Sequence, residues 1–443
     1  MLGFLKIGAV SLLAIMSLSW LVALFFNVTA LGKSVSDALA GDIGTTLSAY
    51  ACAVAYTLVF AAVLGKLGDL ALIRKLEATA LARLLSARDT PPRKLLILIA
   101  LICTTESWLL LKGVISYRTF AIAGFDEGHI PWFLPMLEVM FAAQVGLNAL
   151  ALSQLAKARR RAAAPIFVVV ASVFLILFIN FTQGRSGFVF CAVLHLYWYV
   201  LFFGRAPKFR KLIVAGALVL PLLYTGTLLN NFMRSGNAGG LDLKTVGFVR
   251  FLGQALETWQ SDQSLQQLEK LRSATNLASR PLVANPLAKS LALPMEQKSF
   301  LLGENLINSA IWAIPSALIS DKASYPVQED LLYAHFPIGT GDTADSPYLY
   351  AYVDFAYAGV LFYPVLLAGF WIMALLLTNL PFISSLGIIV VACSWIPLFT
   401  LSLGEMAMTG WFTMLRNTVL AIPFLIVLAK VFRFPSQRFT ALT

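Results

Sequence analysis

A chain of 443 residues that is 59% hydrophobic and 12% charged, with a mean hydropathy of +0.80, carries more apolar surface than a soluble core can hide. That excludes a soluble globular class and leaves an integral helical membrane protein. The formal net charge of +11 is divided among short loops beside apolar runs, so it reports membrane sidedness and excludes a nucleic-acid surface. The four cysteines, Cys52, Cys103, Cys191 and Cys393, all fall inside apolar runs, so neither an external disulfide framework nor a CxxC metal site is expected.

In chain order, about ten runs approach the roughly 20 residues that a bilayer requires. They are 4–26, 43–65, 95–115, 131–153, 164–182, 187–204, 211–229, 348–378, 383–402 and 411–431. The first is too long for a signal-peptide core, and Asn27-Val-Thr-Ala30 is a weak cleavage site, so it is expected to be retained. Lys66, Arg74, Lys75, Arg83, Arg88, Arg93 and Lys94 fall between the second and third runs. Lys157-Ala-Arg-Arg-Arg161, Arg205 to Lys211, and Lys430, Arg433 and Arg438 fall on the same side if every run crosses. The positive-inside rule makes that side cytoplasmic and puts both termini there. Segment 69–88 has helical periodicity with basic residues on one side, and is expected to lie flat on the inner leaflet.

The chain therefore divides into a bundle of about seven spans over 1–229, an external segment over 230–347, and about three spans over 348–443. The external segment alternates helical and turn signals. Residues 243–272 have an amphipathic pattern through Phe248, Phe251, Leu252, Leu256 and Trp259. Residues 299–319 are apolar but broken by Gly303, Glu304, Asn305 and Pro315, which suits a helix dipping into the interface better than a span. Residues 320–347, rich in Gly, Pro, Asp and Ser, read as a loop.

Several side chains run against this background. Arg185, in Thr-Gln-Gly-Arg-Ser-Gly, falls in a very short external turn; Arg234 follows the seventh run, Arg250 lies on the first external helix, and Arg416 is just inside the last span. Arginines on the outer side oppose the positive-inside bias, and a planar guanidinium fork fits the oxygens of a diphosphate. Each could instead pair with a carboxylate or reach the headgroups. Glu106 and Glu138 are acids inside spans, for which structural pairing is the favoured expectation over a proton relay. His335, the lone histidine of the external segment, and the carboxylates Asp345 and Asp354 are candidates to take a proton from a hydroxyl. Tyr348, Tyr352 and Phe355 share one face of the eighth span, where they could stack on sugar rings or form an interfacial aromatic belt. No P-loop, dinucleotide fingerprint, zinc spacing or early DxD pair is present in the sequence. A lipid-linked donor, with no cofactor and no metal, is therefore expected.

Gln183-Gly-Arg-Ser-Gly187 at the head of an apolar span, Ile314-Pro-Ser-Ala-Leu-Ile-Ser-Asp-Lys322 in the external segment, and Asp345-Ser-Pro-Tyr-Leu-Tyr-Ala-Tyr-Val-Asp-Phe-Ala-Tyr-Ala-Gly-Val360 follow one another in order. Together they resemble the Wzy-type oligosaccharide repeat-unit polymerases, which include the O-antigen polymerases. The likeness spans about residues 180–420 and is diffuse. Ser316 stands where that family often has arginine, and Ala323 follows Lys322 where proline is common. The resemblance implies an all-α polytopic, GT-C-like protein of the bacterial inner membrane with one large periplasmic loop. It also implies transfer of a growing glycan from undecaprenyl diphosphate onto a newly arrived lipid-linked repeat unit. In that scheme Arg185, Arg234, Arg250 and Arg416 hold the diphosphate, His335, Asp345 or Asp354 takes the proton, and Tyr348 and Tyr352 bind sugar. Partners would be the lipid-linked donor and acceptor glycans, membrane lipids, a chain-length regulator and a flippase, with no nucleic acid. An O-antigen ligase of similar architecture is the nearest alternative. A secondary transporter is more distant, because it predicts repeated halves with broken midplane spans, and the sequence has no internal repeat.

Overall fold

The computed structural model describes residues 43–111, 134–157, 163–203, 284–338, 346–401 and 408–435, apart from 184, 316–317 and 320, together with isolated positions between 253 and 267. All regular secondary structure among the described residues is helical. The helices are α1 (Ile43–Asp69), α2 (Ala71–Leu85), α3 (Pro92–Leu111), α4 (Leu134–Ala142), α5 (Gln144–Lys157), α6 (Ala163–Gln183) and α7 (Arg185–Phe203). They continue with α8 (Ala284–Ala292), α9 (Glu304–Ala313), α10 (Gln328–His335), α11 (Pro347–Asn379), α12 (Ser385–Leu401) and α13 (Met408–Val431).

Five of the described helical stretches are long and apolar enough to cross a membrane: Leu47–Asp69, Val139–Ala156, Ala163–Asn180, Pro347–Asn379 and Met408–Val431. Their outward faces stay apolar. Phe167 is 71% exposed and Phe174 64%, both on α6. Water would penalise such a surface and lipid would not, so this is a membrane-embedded helical protein. The expected runs at 43–65, 95–115, 164–182, 187–204, 383–402 and 411–431 coincide within about one turn with α1, α3, α6, α7, α12 and α13. The runs 4–26 and 211–229 lie outside the described residues.

Two expected elements take a different form. The run 131–153 is interrupted at Ala143, where a tightened turn (Ala143 N–H to Met140 O, 3.0 Å) separates α4 from α5. The loop expected over 320–347 contains α10 and a short 3-10 turn at Lys322–Ser324. Its Gly and Pro residues flank α10 and stay out of it, with only Asp330 falling in the helix's first turn, which is why composition averaged over the segment hides the helix. Over 243–272 only isolated positions are described, and these are helical. Segment 69–88 is helical as expected, through α2 and a 3-10 turn at Ser86–Asp89. Yet Glu77 and Arg83 on α2 are buried, so one side of that helix packs against protein.

The chain forms two compact units. The first takes Met1–Leu81, Ala274–Leu380 and Ser394–Leu420. In it α1 packs on α11 and α8, and α9 packs on α10 and α11. The second takes Ala82–Ser273, Pro381–Cys393 and Ala421–Thr443. There α5 packs on α3, α6 and α7, and α6 packs on α3 and α7. Gly146 on α5 permits a close approach in this unit: a Cβ there would lie 2.6 Å from Ile389 Cγ2 and 3.2 Å from Cys393 Sγ.

Candidate functional site

The polar groups of the first unit gather around a break in α11. That helix starts from a capped end: Pro347 stands at its first turn, and Ser346 Oγ accepts from Leu349 N–H at 3.2 Å. Helical geometry is then lost at Phe355 (φ −133°, ψ 22°) and Ala356 (φ 52°, ψ −141°). Alanine rarely adopts such a φ, and a residue held there costs about 1–3 kcal/mol. The break strips the Val353 and Asp354 carbonyls of their helical N–H donors. Leu301 N–H donates to Val353 O at 3.1 Å and Leu302 N–H to Asp354 O at 2.9 Å, so the extended segment before α9 completes the helix end. The same segment holds α10, because Ser299 N–H donates to His335 O at 3.3 Å.

Asp354 sits at the break and is fully buried. Its Oδ2 accepts from the Tyr363 hydroxyl. Asn305 Nδ2 donates to the same hydroxyl at 3.1 Å, Gln328 Nε2 donates to Asn305 Oδ1 at 2.5 Å, and Thr409 Oγ1 donates to Gln328 Oε1 at 3.4 Å. One directed chain therefore ties α13, α10, α9 and both halves of α11 to a single carboxylate. Asp354 Oδ1 makes no hydrogen bond among the described residues. Tyr363→Phe removes the hydroxyl donor and should destabilise the first unit by about 1–3 kcal/mol. Thermal unfolding in detergent measures this, and an unchanged midpoint would show that the carboxylate does not depend on Tyr363.

A second cluster lies at the C-terminal end of α9. Arg416 Nη1 donates to Ala313 O at 2.7 Å, while its Nε and Nη2 donate to Asn417 Oδ1 at 2.9 and 2.7 Å. Lys322 Nζ donates to Ile314 O at 2.8 Å and lies 5.4 Å from the centre of the Trp312 ring. Two cationic heads thus hold consecutive carbonyls at the negative end of one helix. Partial burial, and then the neighbouring Arg416 charge, hold Lys322 below the ordinary lysine range. Trp312 Nε1 donates to Pro326 O at 3.2 Å, which fixes the ring beneath the ammonium.

The remaining expected site residues fall in different surroundings. His335 ends α10 with its Nδ1 3.2 Å from Ser299 O, an acceptor. Nδ1 is therefore the donor, and in the neutral ring Nε2 is left as the basic nitrogen. Tyr348 and Tyr352 are buried. Tyr348 packs edge-on against Tyr56 with ring centres 6.2 Å apart. Tyr352 takes Lys298 Nζ on its hydroxyl at 3.2 Å, and the same ammonium caps α8 through Leu291 O at 3.0 Å. Burial lowers the proton affinity of Lys298. Phe355 leaves the face expected to be shared with the tyrosines, because the helix ends there, and its ring lies over Gly303. Arg234, Arg250 and Asp345 lie outside the described residues, and only the backbone of Arg185 is described, at the first position of α7. Lys322, Asn305 and Gln328 were not singled out as site residues from the sequence. Asn305 was visible only as a polar break in an apolar run, and Lys322 only within the family-like stretch.

No protein-family model, no curated protein and no solved structure matches this chain.

Proposed function

We propose that this chain is a membrane glycosyltransferase that polymerises undecaprenyl-diphosphate-linked oligosaccharide repeat units at the periplasmic face of the bacterial inner membrane. The observation that carries the proposal is the pair Lys322 and Arg416 on the consecutive carbonyls of Ala313 and Ile314. The bonds described for the pair go to the neutral oxygens of Ile314, Ala313 and Asn417, and they fix where the two cationic heads sit. Two like charges held this close favour an anion bridging both, and a diphosphate offers oxygens to each. Trp312, fixed below Lys322, adds an aromatic face of the kind that stacks on a sugar or covers a prenyl chain.

In the reaction, the acceptor hydroxyl oxygen attacks the anomeric carbon of the donor glycan. The bond from that carbon to the diphosphate oxygen breaks, and undecaprenyl diphosphate departs with the electron pair. The negative charge growing on it is what Lys322 and Arg416 stabilise. The hydroxyl proton passes to His335 Nε2, which carries the ring's lone pair in the neutral tautomer because Nδ1–H is given to Ser299 O. Asp354, closed off from solvent, acts as the anchor that holds α9, α10 and α11 in register. The donor's own glycosyl–diphosphate bond supplies the free energy, so no nucleotide enters.

The break in α11 is the one observation that favours a secondary transporter, since discontinuous helices build midplane sites. Here both freed carbonyls are already taken by Leu301 and Leu302, which leaves them unavailable to a cargo.

The test is chain extension by purified protein given lipid-linked repeat units and no nucleotide. A ladder of longer glycans is expected, and no ladder under any condition contradicts the proposal. The pH profile is specific. The diphosphate needs protonated Lys322, whose affinity for the proton is lowered from the ordinary value of 10.5. Activity should therefore fall with rising pH before 10.5 is reached, and Lys322→Arg should move that limb to higher pH. An alkaline limb unmoved by Lys322→Arg would remove Lys322 from the site.

A further inference from the structure

The apolar run 299–319, expected to dip into the interface, contains α9, and that helix is turned inside out. Asn305, Asn308, Ser309 and Ala313 are buried, whereas Ile307 is 63% exposed and Ile314, just past the end of the helix, is also exposed. Ile311 is half-buried between them, and the spacing i, i+4, i+7 puts the three isoleucines along one side. A helix on a water-facing surface buries its apolar stripe and leaves its polar side to solvent. Here the buried side is mostly polar and the outward side is isoleucine. Leu302, just before the helix, is 78% exposed as well, although its φ of 49° is one that leucine rarely adopts. At 10 residues α9 is about 15 Å long, half of what crossing a bilayer core requires.

What covers this side follows from α11, to which α9 is joined. All residues from Pro347 to Asp354 are buried, whereas beyond the break Tyr357, Leu361, Phe362 and Val365 are exposed. From Tyr357 to Asn379 the helix rises about 33 Å, enough to cross a hydrocarbon core of roughly 30 Å by itself. The lipid-facing band of α11 therefore begins at the break. The segment leading into α9 is fixed at that same level, because the Leu301 and Leu302 N–H groups hold the Val353 and Asp354 carbonyls. The Phe355 ring joins the two elements: it lies 3.1 Å from where a Cβ on Gly303 would be, and its centre is 5.1 Å from that of Phe362 on the exposed band. The apolar surface of α11 thus runs on to the start of α9. Glu304, the only charged residue of α9, lies in its first turn, at the end nearest the break, where a carboxylate can reach headgroups and water.

We propose that the outward side of α9, with Ile307, Ile311 and Ile314, docks on the acyl chains of the surrounding bilayer, at the depth where the lipid-facing band of α11 begins. A second protein surface would also cover isoleucines, but the continuity with α11 commits this side to lipid. Lipid removes the penalty that water would place on the exposed Leu302 side chain. The contact anchors the segment whose N–H groups complete the broken end of α11. The proposal stands apart from the glycosyltransferase reading, because it uses only exposure, spacing and the bonds at the break.

Carbene labelling tests it on the wild-type, full-length protein in liposomes of phosphatidylethanolamine and phosphatidylglycerol. One probe is a phospholipid with a diazirine in its acyl chain, and the other is a water-soluble diazirine. Light expels N2 from the diazirine, and the carbene inserts into a neighbouring C–H bond, which peptide mass spectrometry locates. Acyl-chain labelling of Ile307 and Ile311 is expected within about threefold of that at Leu361 on α11, and about tenfold or more above their labelling by the aqueous probe. Aqueous labelling equal to or above the acyl-chain labelling means that this side faces water. Labelling by neither probe means that protein covers it, whether a second copy or another part of this chain. Either result overturns the proposal.

Discussion

Replacing Lys322 and Arg416 together by glutamine is expected to lower turnover by about 10²–10³-fold while the protein still inserts and folds. Glutamine is the informative replacement. It can still donate to Ala313 O and Ile314 O, so the end of α9 keeps hydrogen-bond donors while both charges are lost. A purely structural pair would tolerate that change, because capping a helix end needs a donor more than a charge. A pair that stabilises a departing diphosphate would not, because its worth lies in charge that develops in the transition state. The loss should therefore fall on kcat more than on KM, and Arg416→Lys should recover part of it. Turnover within about a factor of two of wild type for the double glutamine variant would reduce the cluster to helix capping.

The largest loss of stability is expected from Gly359→Ala. A Cβ at Gly359 would sit inside the van der Waals boundary of the Ala351 carbonyl, with the carbonyl carbon and Cα of Ala351 behind it. The obstacle is backbone on the other half of the broken helix, so no side-chain rotation relieves it. The two halves of α11 would have to separate. That would disturb the Leu301 and Leu302 hydrogen bonds at the break and the Asp354–Tyr363 contact, which spans it. A cost of about 4 kcal/mol or more follows, at the upper end for a single substitution. Thermal unfolding in detergent checks it, and a wild-type midpoint would mean that the break is not held as described. The glycine lies only three residues beyond Ala356, so helix periodicity alone marks it as an ordinary interior residue of a long apolar run.

That contrast shows what was legible in the sequence. The helices could be read because apolar length is set by bilayer thickness and survives any tertiary arrangement, as at 164–182 and α6. The break in α11 could not. Phe355-Ala356 has no proline or glycine at the point of failure, and the conformation is imposed by residues about fifty positions earlier, Leu301 and Leu302. The same holds for the candidate site. Arg416 was visible because a guanidinium at the end of an apolar span is conspicuous. Its partner Lys322 looked like an ordinary loop lysine until the fold placed both on neighbouring carbonyls. Tyr348 and Tyr352 were conspicuous for the same reason as Arg416, yet their rings are buried, one against Tyr56 and the other beneath Lys298. Asn305 shows only as a polar break in an apolar run, and Gln328 carries no signal by type. Their part in the Asp354 chain depends on the docking of α9 and α10, which a single sequence does not encode at short range.

The lipid-linked glycan profile of a strain lacking this chain tests the central claim most directly. A polymerase acts after single repeat units have been built and delivered, so its loss should leave undecaprenyl diphosphate carrying one repeat unit each, with longer chains restored by the wild-type gene and not by the Lys322→Gln, Arg416→Gln double variant. Long polymer of normal length distribution, whether attached to its final acceptor or left on the lipid carrier, would contradict the polymerase assignment. In the second case the fault would lie in a later transfer step.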